Sequence, residues 1–264
     1  ESQSNHLKAY GIAYYAIERD VKVDWLLNYQ GGSFLIKQHN VIENECNIRD
    51  VSYQIIADLQ STQILQSIAS PEVNQDVVRL EKAPKIAIYS PNNKQPWDDA
   101  VTLALAYGEI PYEVIYDEEV LSNLLPLYDW LHLHHEDFTG QYGKFYASFK
   151  NATWYKDQKR DYEILAKKLG YEKVSTEKLA VAKKIKEFVN GGGFLFAMCS
   201  ATDSYDIALA AEGLDICGPM FDGDAADPNA QEKLDFYQTL AFKDFSLVKN
   251  PNQYEFSSID ATQK

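Results

Sequence analysis

The chain predicts an α/β protein, a doubly wound and mostly parallel sheet with helices on both faces. Three observations lead there. Short apolar runs of strand type alternate with segments of helical period over most of the length, as stacked β-α units require. From residue 85 onward the connections between them are short, which suits parallel strands with helices returning between them. One apolar run, Phe194-Leu195-Phe196-Ala197-Met198, leads straight into Cys199 and then into a helical segment, so a cysteine stands at a strand-to-helix corner.

A first α/β section, residues 1–80, opens with a helix over residues 5–18. Strands over 23–28 and 33–37 flank the Gln30-Gly31-Gly32 turn, a third strand covers 51–56, and a helix covers 58–68. Pro71 and Pro84 bracket a polar connection, 72–82, that separates two subdomains. The second section, residues 81–264, has the clearer rhythm. It reads as strand 85–89, helix 97–107, strand 112–116, helix 118–125 and strand 130–134. A helical insertion over about 142–169 and a helix over 176–189 then deliver the chain to the 194–198 strand. The next helix covers 203–211, with Asp203 as its N-cap. Past Leu214 the periodicity weakens, and an acidic loop, 221–232, precedes a shorter C-terminal stretch.

With 45% hydrophobic residues and no low-complexity tract, the 264 residues can bury one large core or two modest ones. Twenty-five basic against 39 acidic residues leave a formal charge of −14, which argues against nucleic acid or an anionic membrane surface as partner. Lys183-Lys184-Ile185-Lys186 reads as the solvated face of a helix. No apolar run approaches the ~20 residues needed to span a bilayer. The chain starts at Glu1 without a methionine, so a processed or truncated product is expected. Cys46, Cys199 and Cys217 lie far apart without CxxC spacing. A zinc ribbon or disulfide framework is not indicated, and one Cys46–Cys217 or Cys199–Cys217 bridge stays open.

Two motifs could carry chemistry. At the corner, Ala197 and Ala201 supply the small residues that a tight nucleophile elbow needs two positions before and after Cys199. A free cysteine is also a common buried hydrophobe, so an inert Cys199 is the competing reading. The second motif is Asp129-Trp130-Leu131-His132-Leu133-His134-His135-Glu136-Asp137-Phe138. Strand alternation would put His132, His134 and Glu136 on one face as a possible divalent-metal set, or let the histidines pack at the rim. His134 or His135 could instead take the proton of Cys199, with Glu136 or Asp137 orienting the imidazole. Ligands of such sheets collect beyond the carboxyl ends of the strands, which makes Ser90, Lys94, Trp97, His132, Asp137 and Asp203 the expected ligand rim. The loop over 90–97 has no glycine fingerprint for a nucleotide, and no cofactor is expected apart from that possible metal. In the acidic loop, Asp222, Asp224 and Asp227 lack calcium-loop spacing and read as solvated.

The elbow over 194–203 resembles the corner of the class I glutamine amidotransferase-like superfamily, which implies a flavodoxin-like sheet and a cysteine nucleophile with a downstream histidine and glutamate. No histidine follows His135, so that triad cannot be completed within these residues. Nearly the whole chain is similar to a bacterial family commonly labelled asparagine synthetase B. The likeness rests on Asn5-His6-Leu7-Lys8-Ala9-Tyr10-Gly11, Val23-Asp24-Trp25-Leu26-Leu27-Asn28-Tyr29, Lys94-Gln95-Pro96-Trp97-Asp98-Asp99-Ala100, the 132–138 motif and the Cys199 corner. The chain has neither the N-terminal catalytic cysteine nor the SGGxDS-type loop of an asparagine synthetase. What the resemblance implies is part of a longer exported protein of the periplasm or cell envelope.

The expected function is therefore a non-catalytic or degenerate amidotransferase-like module that binds a ligand or a protein partner at its rim. The alternatives are a cysteine-dependent amide or ester hydrolase using Cys199 with His134 or His135, and a metal-dependent hydrolase using the 132–137 motif.

Overall fold

The structure, a computed structural model, describes residues 3–91 and 99–260. Lys94 and Trp97 of the expected rim lie outside the described residues. The chain forms two compact units, one of Glu1–Pro84 with Asp99–Tyr112 and the other of Lys85–Asp98 with Glu113–Lys264.

In the first unit, helix α1 (His6–Ile17) buries Gly11, Ile12, Ala13 and Ala16 along one stripe. Asp20 turns left-handed and lets the Val21 N–H reach the Ala16 carbonyl at 3.0 Å, closing the helix. β1 (Val23–Leu27) pairs antiparallel with β2 (Ser33–Ile36), placing Trp25 opposite Phe34. The turn between them needs left-handed backbone at Asn28, Gln30, Gly31 and Gly32, hence its glycines. Helix α2 (Asn40–Ile48) is capped by His39, whose Nδ1 accepts the Val41 N–H at 3.3 Å. Helix α3 (Asp58–Ile68) follows as expected, and α4 (Ala100–Gly108) starts at the Asp99 cap, whose carboxylate accepts the Val101 N–H at 2.8 Å.

Two expectations for this unit need correction. Residues 51–56 form no strand; Val51 instead folds back, its N–H bonding the Cys46 carbonyl at 2.8 Å, and its side chain joins the core. The third strand is β3 (Asp76–Leu80), inside the supposed connection, which pairs with β1 from Val23↔Leu80 to Leu27↔Asp76 and completes the order β2-β1-β3. Its charged ends hid it: Asp24 and Arg79 face each other across the pair as an ion pair, so alternation there is ionic rather than apolar. Ile12, Ala13, Ala16, Val23, Ile42, Cys46 and Val51 form the core. Helix α4 packs on α1 so closely that a Cβ on Gly11 would collide with the Gly108 carbonyl.

The second unit is an α/β layer around a four-stranded, all-parallel sheet. It runs β4 (Ile86–Tyr89), β5 (Glu113–Ile115), α5 (Asp117–Leu121), β6 (Trp130–Leu133), α6 (Tyr146–Phe149), α7 (Thr153–Lys168), α8 (Val174–Asn190), β7 (Phe194–Ala197) and α9 (Ser200–Ala210). Two short helices follow, α10 (Pro219–Asp222) and α11 (Ala230–Lys233). The sheet order is β5-β4-β6-β7. Strand alternation sends Ala87, Tyr89, Leu131 and Leu133 to one face, where they pack on Val120 of α5, Val181 and Ile185 of α8, and Tyr205 and Leu209 of α9. Each such large side chain contributes roughly 1.5–3 kcal/mol by leaving water.

Under this face lies a polar knot. Lys178 of α8, 2% exposed, donates to both Asp117 carboxylate oxygens at 2.7 and 2.6 Å and to the Tyr89 and Tyr116 hydroxyls at 3.0 and 2.9 Å. Residues 142–169 form the helical insertion, with Tyr142, Phe145, Tyr155 and Ala166 making a satellite core with Val174, Cys217 and Phe221. The C-terminal stretch, silent in periodicity, is held by Asp206, which accepts the N–H groups of Leu240, Ala241 and Phe242 at 2.7–2.8 Å. Phe245 and Phe256 pack there with Ile207 and Ala210 of α9. All three cysteines are free thiols, so neither open bridge forms. Among the described residues no helix is long and apolar enough to cross a membrane.

Candidate functional site

The chain leaves β4 for β5 on one side and returns to β6 on the other, so the carboxyl ends of β4 and β6 flank a topological switch point. Ser90 stands at the end of β4, its N–H on the Ile115 carbonyl at 3.0 Å. The 134–145 loop leaves β6, and Cys199 leaves β7 beside it.

Cys199 is an exposed thiol with φ 50° and ψ −140°. That conformation belongs to glycine, and holding a side chain in it costs on the order of 1–3 kcal/mol, a strain that concentrates at functional sites. The strained residue also moves the helix boundary. It ends the strand and occupies the N-cap position of α9 itself, so Asp203, the expected cap, falls within the helix. Ala197 and Ala201 take the crowded places on either side, Ala201 fully buried. The corner is tied to the neighbouring strand end at three points. The Met198 N–H donates to the Leu133 carbonyl at 2.9 Å, the Ala201 N–H to His134 at 3.4 Å, and the Ser200 hydroxyl to the His135 carbonyl at 3.1 Å. The Ser204 hydroxyl continues the series to the Glu136 carbonyl at 2.8 Å. Both histidines are thus held beside the elbow by their backbone.

Their side chains meet each other. His134 Nδ1 and His135 Nδ1 are 2.8 Å apart, so one ring donates and the other accepts. His132 stacks on His134 from inside the sheet. It is fully buried within β6, and its Nδ1–H donates to the Phe196 carbonyl at 3.0 Å. The expected shared side holds for His132 and His134, whose rings stack with centroids 6.2 Å apart, but not for Glu136, which turns back beyond the end of β6 so that its Oε2 accepts the His134 N–H at 2.8 Å. These three donors are consequently not gathered as a metal set. Among the described residues, the trio whose ligand atoms lie within 4.8 Å of one another is Asp215, Cys217 and Asp222. There the Lys173 ammonium already sits 2.6 Å from Asp215, 2.9 Å from Asp222 and 2.6 Å from Asp224, while Asp227 pairs with Lys233. The acidic loop is therefore cross-linked by lysines rather than simply solvated.

Asp137 shapes the loop instead of orienting a histidine. Its carboxylate accepts the Thr139 N–H and hydroxyl, both at 2.6 Å, and the Gly143 N–H at 3.0 Å. The turn it holds runs left-handed through Tyr142, Gly143 and Lys144. Lys144, 2% exposed, donates to the Val248 and Asn250 carbonyls at 2.8 and 3.3 Å, and burial lowers it to about 8. Asp203 is 2% exposed, and its Oδ2 has no hydrogen-bond partner among the described residues. Burial, and then the charge of Asp260, raise it to about 7. The Tyr254 phenol is raised, chiefly by burial and then by the charges of Cys199, Asp260 and Asp203.

Lys144, Tyr254 and Asp260 went unremarked in the sequence. Nothing in their local pattern marks them; only the long-range fold couples their charges to Asp203. Compared with protein-family models, curated proteins and solved structures, the chain matches none.

Proposed function

We propose that the second unit is a flavodoxin-like domain of the class I glutamine amidotransferase type whose rim performs cysteine-nucleophile chemistry on an amide or ester. The strand order supports the flavodoxin-like reading, because β5-β4-β6-β7 follows the 2-1-3-4 start of that arrangement. The single observation that carries the chemistry is Cys199 at φ 50° and ψ −140°, exposed at the end of a parallel strand and the start of a helix. Such a corner lifts a side chain clear of the backbone and places the following N–H, that of Ser200, beside the attacked carbonyl as an oxyanion donor. The His134–His135 pair takes the thiol proton. The attacking sulfur forms a thioester and expels the amine or alcohol; water then frees the acid.

Alkylation tests this. Iodoacetamide should label Cys199 in the folded protein, and Cys199→Ser should abolish acyl transfer from p-nitrophenyl acetate. A native Cys199 that stays unlabelled overturns the reading.

A second reading, a ligand- or partner-binding module that keeps the elbow as architecture, is favoured by one observation. Glu136 and Asp137, the expected orienting acids, spend hydrogen bonds on backbone N–H groups.

A further inference from the structure

We propose that the outer edge of β7 is the surface through which two copies of this chain pair, joining their four-stranded sheets into one continuous sheet across a two-fold axis. The pairing does not depend on the cysteine chemistry. β7 (Phe194–Ala197) ends the order β5-β4-β6-β7 and, among the described residues, pairs with β6 alone. The Phe194 and Met198 N–H groups donate inward, to the Asp129 and Leu133 carbonyls, both at 2.9 Å. Successive residues of a strand turn their amides to opposite sides, so the N–H and C=O groups of Leu195 and Ala197 point off the sheet.

An open edge of this kind accepts a further strand, and proteins guard such edges with charge, proline or a cover. From Phe188 to Thr202 there is neither a charged residue nor a proline, in a chain of which 24% is charged. Leu195 and Ala197 pack toward the helices, which leaves Phe194 and Phe196 on the opposite face, 62% and 40% exposed.

The strand is complementary to itself. Run antiparallel about an axis at Leu195, two copies set Leu195 against Leu195, a pair that exchanges both of its N–H···O bonds. Each Ala197 N–H then meets the Gly193 carbonyl of the second copy. The ladder stops there, because the Gly193 N–H already donates to the Phe188 carbonyl at 3.0 Å. Phe194 falls opposite Phe196 in the close, non-hydrogen-bonded positions, where cross-strand aromatic pairs stabilise a sheet. Four rings gather on one face. An axis at Ala197 would instead draw the strained Cys199 into the ladder.

Area and charge set the strength of the pair. Counting about 200 Å² for a fully exposed aromatic residue, the exposed parts of Phe194 and Phe196 come to roughly 200 Å² per copy. That is well short of the ~800 Å² per partner of a stable complex, so the dimer belongs to the transient class, with a dissociation constant on the order of 100 µM. Each copy carries a formal charge of −14, and the uncharged stretch around β7 is where two copies repel least. Salt should therefore strengthen the dimer.

Sedimentation of the protein from about 5 to about 500 µM should show a monomer–dimer equilibrium whose dissociation constant falls severalfold as salt rises from about 50 to about 500 mM. Phe194→Lys, a change at an exposed position, should weaken the dimer about tenfold or more and leave the circular dichroism spectrum as it is. Cross-linking reads the register. In a Cys199→Ser background, which removes the exposed thiol, an equimolar mixture of Phe194→Cys and Phe196→Cys chains should form a disulfide on mild oxidation, and each variant by itself should lag, because only the unlike residues lie opposite each other. A wild type that stays monomeric at every concentration overturns the proposal and leaves the edge to a strand of another protein. A dimer that Phe194→Lys leaves intact overturns it too, as does cross-linking that favours like chains. If Phe194→Lys fails to fold, the cross-linking decides.

Discussion

The Ser200 hydroxyl donates to the His135 carbonyl at 3.1 Å, fastening the first residue of the cysteine-bearing helix to the loop that carries the histidine pair. Elbow and histidines come from segments more than sixty positions apart, and this bond and its neighbours fix their spacing. Ser200→Ala should cost about 1 kcal/mol in urea unfolding. It should lower Cys199 acetylation more than that loss of stability explains, because misplacement at a reacting centre is costly.

Strain at Cys199 makes a prediction of opposite sign for stability and chemistry. Glycine, which has no Cβ to clash, adopts φ 50° and ψ −140° freely, so Cys199→Gly should raise stability by on the order of 1 kcal/mol while abolishing acyl transfer. Thermal unfolding checks the first part. A lowered melting temperature would show that the elbow is not strained.

Lys178 and Asp117 are 2% and 1% exposed. Lys178→Met should destabilise by roughly 3–5 kcal/mol, since it strands a buried carboxylate. Adding Asp117→Leu should recover part of the loss. Urea titration of both variants tests whether desolvation of the unpaired charge, rather than lost packing, dominates.

The buried carboxyls give the fold a pH dependence. Asp203 rises from 3.8 to about 7 and Glu177 from 4.5 to about 8, in each case chiefly through burial. Across those windows the folded chain keeps protons that the unfolded chain has released, so stability falls as pH rises. Asp203→Asn should be more stable than wild type at pH 8 by on the order of 1–3 kcal/mol, with the difference vanishing near pH 4. Chemical denaturation at several pH values measures it.

Lys173 is held above the usual lysine range by hydrogen bonds to Asp215, Asp224 and Asp222. Removing it in Lys173→Ala takes away the ammonium that the three carboxylates share, two of which, Asp215 and Asp222, lie beside Cys217. The pairs are partly exposed, so the cost should be about 0.5–1 kcal/mol and should shrink in salt. Millimolar calcium should restore stability to the variant and leave the wild type unaffected, as calorimetry would show.

What the sequence determined by itself was whatever local pattern dictates. The alternation of apolar runs and helical segments fixed the α/β class, α3 appeared at its observed boundaries, and Ala197 and Ala201 marked the corner at Cys199. Only the tertiary structure decided the rest. β3 was invisible because charged Asp76 and Arg79 flank its Val77-Val78 pair, and His39 because a histidine cap resembles any loop histidine. Alternation carried His134 onto His132 but failed at Glu136, since a strand's two-residue period fades once its ladder has ended at Leu133. The elbow's strain, the His134–His135 contact and the raised Asp203 carboxyl depend on burial and on contacts between distant segments. Those determine which acids hold protons and which side chains meet, and neither is a property of neighbouring residues.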